Sequence, residues 1–232
     1  MKTPMRALLS IRDQIGALLQ KSKPVIVMEL LVVALFPISL AVLQIPRSII
    51  PLFLMGWLSL WLRRKSWKDL GFRSAKGGWL LVISGSVLAI SGIYLSGKIF
   101  SPLLHRLTGE VPTQAPELAL LRGNLPYYLF LLAGIWLLAA IGEELVYRGY
   151  VLNRLIDIAG PSPAGWGIGL LVSSLLFGLG HGTNLPVIVS GFLLGLVEGG
   201  LYLASRRNLW LPIVFHGFWD STYLTLFYLG LK

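Results

Sequence analysis

The sequence contains no cysteine. Disulfides and thiolate metal sites are therefore excluded, and any metal would have to be held by His, Asp or Glu. Histidine is scarce too, and His105, His181 and His216 are the whole supply. Charged residues make up 13% of the chain, about half the usual quarter of a soluble domain. Against these shortages stand 55% hydrophobic residues and a mean hydropathy of +0.75. They are arranged in runs long enough to span a bilayer. This is the composition of an all-α, polytopic integral membrane protein.

Acids are outnumbered by bases, 10 to 20, for a net charge of +10. In a membrane protein such an excess belongs to loops that face anionic lipid, so it argues for the bilayer as partner and against nucleic acid. Residues 1–23, "MKTPMRALLSIRDQIGALLQKSK", mix apolar and charged residues at helical spacing, as an interfacial amphipathic helix does. Residues 24–232 read as a single membrane domain. Candidate spans lie at about 24–43, 48–62, 79–100, 126–147, 165–182, 185–204 and 208–230, about seven in all. Pro37, Pro46 and Pro51 interrupt the first two, which points to a tight hairpin. The N-terminus, "RRKSWKDLGFRSAK" at 63–76 and Arg206–Arg207 are basic. All three fall on one side if the N-terminus is cytoplasmic, with 101–125 on the other. The membrane expected is a bacterial inner membrane or a related one.

Ionisable residues inside such spans are costly, roughly 2.5–3.5 kcal/mol or more each, and so mark function. Here they are spaced. Glu144 and Arg148, Phe177 and His181, and His216 and Asp220 are each four apart, on one face of a helix. Glu143 adjoins Glu144, and neighbouring residues on an α-helix point about 100° apart. One carboxylate can then face a reaction centre while the other pairs with Arg148. Depth agrees. "PSP" at 161–163 must break the fourth helix, with Glu143 about 26 Å before the break and His181 about 26 Å after it. The short "GTNLP" at 182–186 then has to climb steeply between spans, or the next helix has to tilt. Chemically the set suits hydrolysis: a carboxylate and a His to take a proton from water, and a second His to stabilise an oxyanion. Spacing alone equally allows a metal shell of Glu143, His181, His216 and Asp220.

"EELVYR", "FGLGH" and "HGFWD" follow one another in order. They resemble the EExxxR, FxxxH and HxxxN/D signatures of the CPBP intramembrane protease family, which groups CAAX prenyl proteases with bacteriocin-processing and self-immunity (Abi) proteins. The resemblance covers about residues 126–224. It implies an endopeptidase cutting membrane-anchored peptide or protein substrates near the cytoplasmic face. Glu143 and His181 would activate water, His216 and Asp220 would form the oxyanion site or complete a metal shell, and Glu144 and Arg148 would support them. The family is described both as zinc-type metalloproteases and as metal-independent glutamate proteases. Asp220 stands where the prenyl-protease branch tends to have Asn, and an ionised Asp is a poor oxyanion donor. The alternatives are a non-catalytic scaffold or assembly factor of the same fold, a proton-coupled transporter, or a lipid hydrolase using the same site.

The remaining polar residues have plainer readings. His105 is expected to be a solvated loop histidine, and Glu29 to snorkel to the interface. Glu198 is either a packing partner or a neighbour of the site. The glycines of "GLGHG" and "SGFLLGLVEGG" permit close helix packing.

Overall fold

The structure, a computed structural model, describes residues 3–43, 49–75, 78–109 and 120–231. They form helices α1 (Thr3–Lys21), α2 (Lys23–Val42), α3 (Ile50–Leu62), α4 (Gly78–Thr108), α5 (Leu125–Ala159), α6 (Pro163–His181), α7 (Leu185–Ala204) and α8 (Trp210–Tyr228), and no strand. The connection at 44–48, where the tight hairpin is expected, and 110–119 of the expected outer loop lie outside the described residues.

Five of these helices, α2 and α4 to α7, are long and apolar enough to cross a bilayer. Seven were expected. With 13 residues, α3 reaches only about 20 Å of the roughly 30 Å required. Although α8 has 19 residues, His216, Asp220 and the hydroxyls of Ser221, Thr222 and Thr225 dilute its apolar character.

Local signals set the helix ends. Asn124, Ser162 and Asn184 accept hydrogen bonds from the backbone N–H three residues on, each beside a proline in the first turn. At the end of α5, Gly160 takes φ +89°, a left-handed value that favours glycine, and Pro161 follows.

At the centre of the bundle is α5. Every residue from Glu144 to Arg154 is buried, as expected of a helix packed on all sides. One face joins Ile26, Leu30, Val33, Leu52, Leu60 and Phe177. The other joins Tyr202, Leu209 and Ile213. The helix is not uniform: Ile135–Glu143 and Leu145–Val151 are π-helical, a wider turn that recurs at functional sites. Nothing in the composition of that run signals it.

After His181 the chain reverses at once. Residues 182–184 make a three-residue link, with Gly182 fully extended, and α7 folds straight back along α6. Glycine makes this possible. A Cβ on Gly178 would lie 2.4 Å from the Ile188 carbonyl oxygen, one on Gly191 2.9 Å from Gly178 Cα, and one on Gly195 2.9 Å from Ser174 Cα. Backbones this close gain dispersion contacts that larger side chains would forbid.

The basic segments gather at one end. Gly71 and Leu70 accept from Leu209 N–H (3.0 Å) and the Tyr202 hydroxyl (2.7 Å), and Asn208 donates to the carbonyls of Arg73 and Ser74. At this end α1 docks on α3: Gln20 donates to the Arg63 carbonyl, and a Cβ on Gly16 would lie 2.2 Å from the Leu62 oxygen. Glu29 does not snorkel. It takes both terminal nitrogens of Arg63, at 2.9 and 2.7 Å, while Tyr150 on α5 donates to Ser59.

Gly195→Val should therefore lower the melting temperature of the detergent-solubilised protein, since overpacking costs about 1–3 kcal/mol. Gly200→Ala, where a Cβ meets nothing within 4 Å, should leave it unchanged or slightly higher. Equal melting temperatures would mean that the α6–α7 seam is not close-packed.

Candidate active site

The six residues singled out in the sequence converge where α5, α6 and α8 meet, and α7 adds a seventh, Glu198. They separate into a sealed half and an open half.

The sealed half is built on Arg148. Its guanidinium donates to Glu144 Oε1 at 2.9 Å and to Glu198 Oε2 at 2.5 Å, and lies 4.2 Å over the Phe177 ring. His216 Nδ1 lies 3.0 Å from Glu144 Oε1 and 3.3 Å from Glu198 Oε1. The side chains of Glu144, Arg148, Glu198 and His216 are no more than 3% exposed. Charges this deep persist only when paired and hydrogen-bonded, and each here has at least two partners.

Glu143, His181 and Asp220 form the open half, with side chains 21%, 35% and 33% exposed. His181 ends α6, where the extended Gly182 leaves its ring uncovered. Its Nδ1 lies 2.7 Å from the Phe177 carbonyl oxygen. A carbonyl can only accept, so Nδ1 carries the proton and the neutral ring keeps its lone pair on Nε2. That nitrogen faces Glu143 Oε2 at 3.7 Å, an oxygen with no hydrogen-bond donor among the described residues. Two acceptors therefore face each other across a gap too long for a direct hydrogen bond. Asp220 Oδ2 lies 3.3 Å from His216 Nε2 and so joins the two halves.

Phe177 is the partition. Its fully buried ring meets His181 at 4.3 Å, Tyr147 at 5.1 Å and His216 at 6.1 Å between ring centres. His216 comes this deep because its neighbour is Gly217, where a Cβ would lie 2.7 Å from the Trp136 indole.

The carboxylate–imidazole group that could hold a metal is also not the expected one. Glu144, Glu198 and His216 bring one ligand atom each within 4.8 Å of one another. Glu143, His181, His216 and Asp220 do not form such a group among the described residues. The donor set suits a divalent cation: Glu144 Oε2 and Glu198 Oε1 are buried without a hydrogen-bond donor among the described residues, beside an imidazole nitrogen. The sequence left Glu198 as either a packing partner or a neighbour of the site, and the structure makes it a neighbour. Its one signal was a carboxylate alone in the apolar run "LLGLVEGGLYLA".

The division predicts different costs for neighbouring residues. Glu144→Ala and Glu198→Ala should each destabilise the protein by about 3–5 kcal/mol, because each strands part of Arg148. Glu143→Ala should cost much less. Denaturation in detergent measures all three, and equal losses at 143 and 144 would remove the distinction.

Neither the curated proteins nor the solved structures provide a match. Residues 125–222 match the family model for Rce1-like proteins, type II CAAX prenyl endopeptidase Rce1-like, and that segment runs from the start of α5 through Asp220, enclosing all three motifs and Glu198. Through that segment the chain, an integral membrane protein, is similar to the CAAX-type intramembrane endopeptidases.

Proposed function

We propose that the protein hydrolyses peptide bonds of membrane-anchored substrates with a water activated between Glu143 and His181. The observation that carries this reading is the pair of facing acceptors, the buried Glu143 Oε2 and His181 Nε2, on side chains that are partly exposed beside an otherwise sealed charge cluster. A water there donates one hydrogen to each and turns its lone pair outward toward a carbonyl carbon. Glu143 takes a proton as the water attacks and delivers it to the departing amide nitrogen, while His181 Nε2 accepts the water's second hydrogen and holds it in line.

His216 is held in orientation by Glu144 and Glu198 through Nδ1, which leaves Nε2–H directed to the open half. There it donates to the carbonyl oxygen as negative charge develops. Asp220, 3.3 Å away, holds the ring in this pose and gives way to the substrate oxygen. Its carboxylate is thus an orienter of His216 rather than the oxyanion donor. A divalent cation held by Glu144, Glu198 and His216 would sit in the sealed half and would act by fixing the His216 ring. The gathering of basic loops at one end supports a cytoplasmic location for that end and for the N-terminus.

Glu143→Gln keeps the shape and removes the base. It should reduce kcat/KM on a membrane-anchored peptide, beginning with a prenylated CAAX peptide, by about 10²–10⁴-fold, with the melting temperature unchanged. Cleavage by the variant at the wild-type rate would falsify the assignment of Glu143. Metal content of the purified protein, measured by mass spectrometry alongside activity with and without chelator, separates the metal-assisted route from the glutamate route.

A further inference from the structure

Away from this site, the basic end of the bundle holds a cavity of about 330 Å³ where α1 meets the C-terminal end of α3. Its walls are of two kinds. Trp57, Leu60, Trp61 and Trp67 are apolar, and Arg12, Arg64 and Lys65 are cationic. Asp69 is the one acid in the lining, and its carboxylate already accepts from Ser66 N–H at 2.7 Å and from the Ser66 hydroxyl at 2.9 Å.

The cations are held in place from outside the cavity. Arg12 donates through Nε to the Trp61 carbonyl at 2.9 Å and lies 4.5 Å over the Trp61 ring, which leaves its terminal nitrogens uncommitted by those contacts. Arg64 is pinned by Asp13 at 2.5 and 2.7 Å. Lys65 has no carboxylate within ion-pairing distance among the described residues. Partial burial, and next the charge of Arg154, holds its ammonium below the usual lysine range, as expected where positive charge lacks a counter-ion. Behind the wall is an orphan donor that does not open on the cavity. Trp67 Nε1–H is buried with no acceptor among the described residues, although its ring is fixed by stacking on Phe53 at 5.2 Å. An indole N–H can only donate.

We propose that this cavity binds the phosphate headgroup of an anionic phospholipid, with Arg12 and Lys65 as the principal cationic contacts. A lipid rather than a soluble phosphate is the occupant because the cavity continues into an apolar surface. Trp57 and Trp61 are about half exposed at its mouth, and Leu54 and Leu58 are similarly exposed further along α3, a track for acyl chains. Tryptophan and arginine at the headgroup level are what the bilayer interface selects. The bound headgroup would bridge α1 to α3 and so anchor the amphipathic helix to the bundle.

Native mass spectrometry of the detergent-solubilised full chain, titrated with phosphatidylglycerol and with phosphatidylcholine, tests this. The expected result is one phosphatidylglycerol adduct that saturates well below phosphatidylcholine, weakened about fivefold for each cation removed in Arg12→Gln and in Lys65→Gln. Lys65 is exposed and its substitution leaves the packing intact, so the test survives if Arg12→Gln fails to fold. Equal affinity for the two lipids, or an adduct indifferent to Lys65→Gln, would overturn the proposal. So would displacement of the lipid by an equal concentration of glycerol phosphate, which would make the cavity a site for soluble phosphate.

Discussion

Arg148 is the interaction on which the site depends. A guanidinium cannot be left unpaired inside a helical bundle at membrane depth, and it cannot shed its proton. It therefore requires acceptors, and the fold supplies one carboxylate from its own helix and one from α7. Those carboxylates in turn hold Nδ1 of His216 on α8. Three helices are thus tied through one cation, and the imidazole at the end of the chain of contacts is held in a single orientation.

A clamp of this kind needs helices that can approach closely. Leucine-sized side chains along the α6–α7 seam would hold Glu198 away from Arg148. Glycines at 178, 191 and 195 let the backbones meet instead. The same seam lets α6 end at His181 and turn back within three residues, which leaves that ring at an open edge facing Glu143. Close packing inside and access at the rim follow from one run of small residues.

A second polar network does for the N-terminal helices what Arg148 does for the site. Glu29, Arg63, Ser59 and Tyr150 connect α2, α3 and α5, and the Arg63 guanidinium also reaches the Leu19 carbonyl of α1. The segment outside the family match is in this way bonded to the helix that carries Glu143 and Glu144. Its basic end, with the cavity between α1 and α3, lies on the same side as the α7–α8 link.

Much of this was legible in the chain itself. Apolar runs, proline breaks and capping residues mark the helices, because helix ends and bilayer thickness are local constraints. The three i,i+4 pairs identify the residues of the site, because a buried charge is expensive wherever it sits. What could not be read is which groups would meet. Glu198 was one carboxylate in an apolar run, and its role depends on α7 packing at glycine distance against α6. With Glu144 and His216 it completes a group that could hold a metal, a set different from the Glu143, His181, His216 and Asp220 expected from the sequence. Glu29 was expected at the interface and found Arg63 instead, 34 residues along the chain. The π-helical turns of α5 had no sequence signal either. Sequence determined which residues had to be paired, because desolvation is a property of each group. Only the tertiary structure decided their partners, because pairing is a property of the distances between helices.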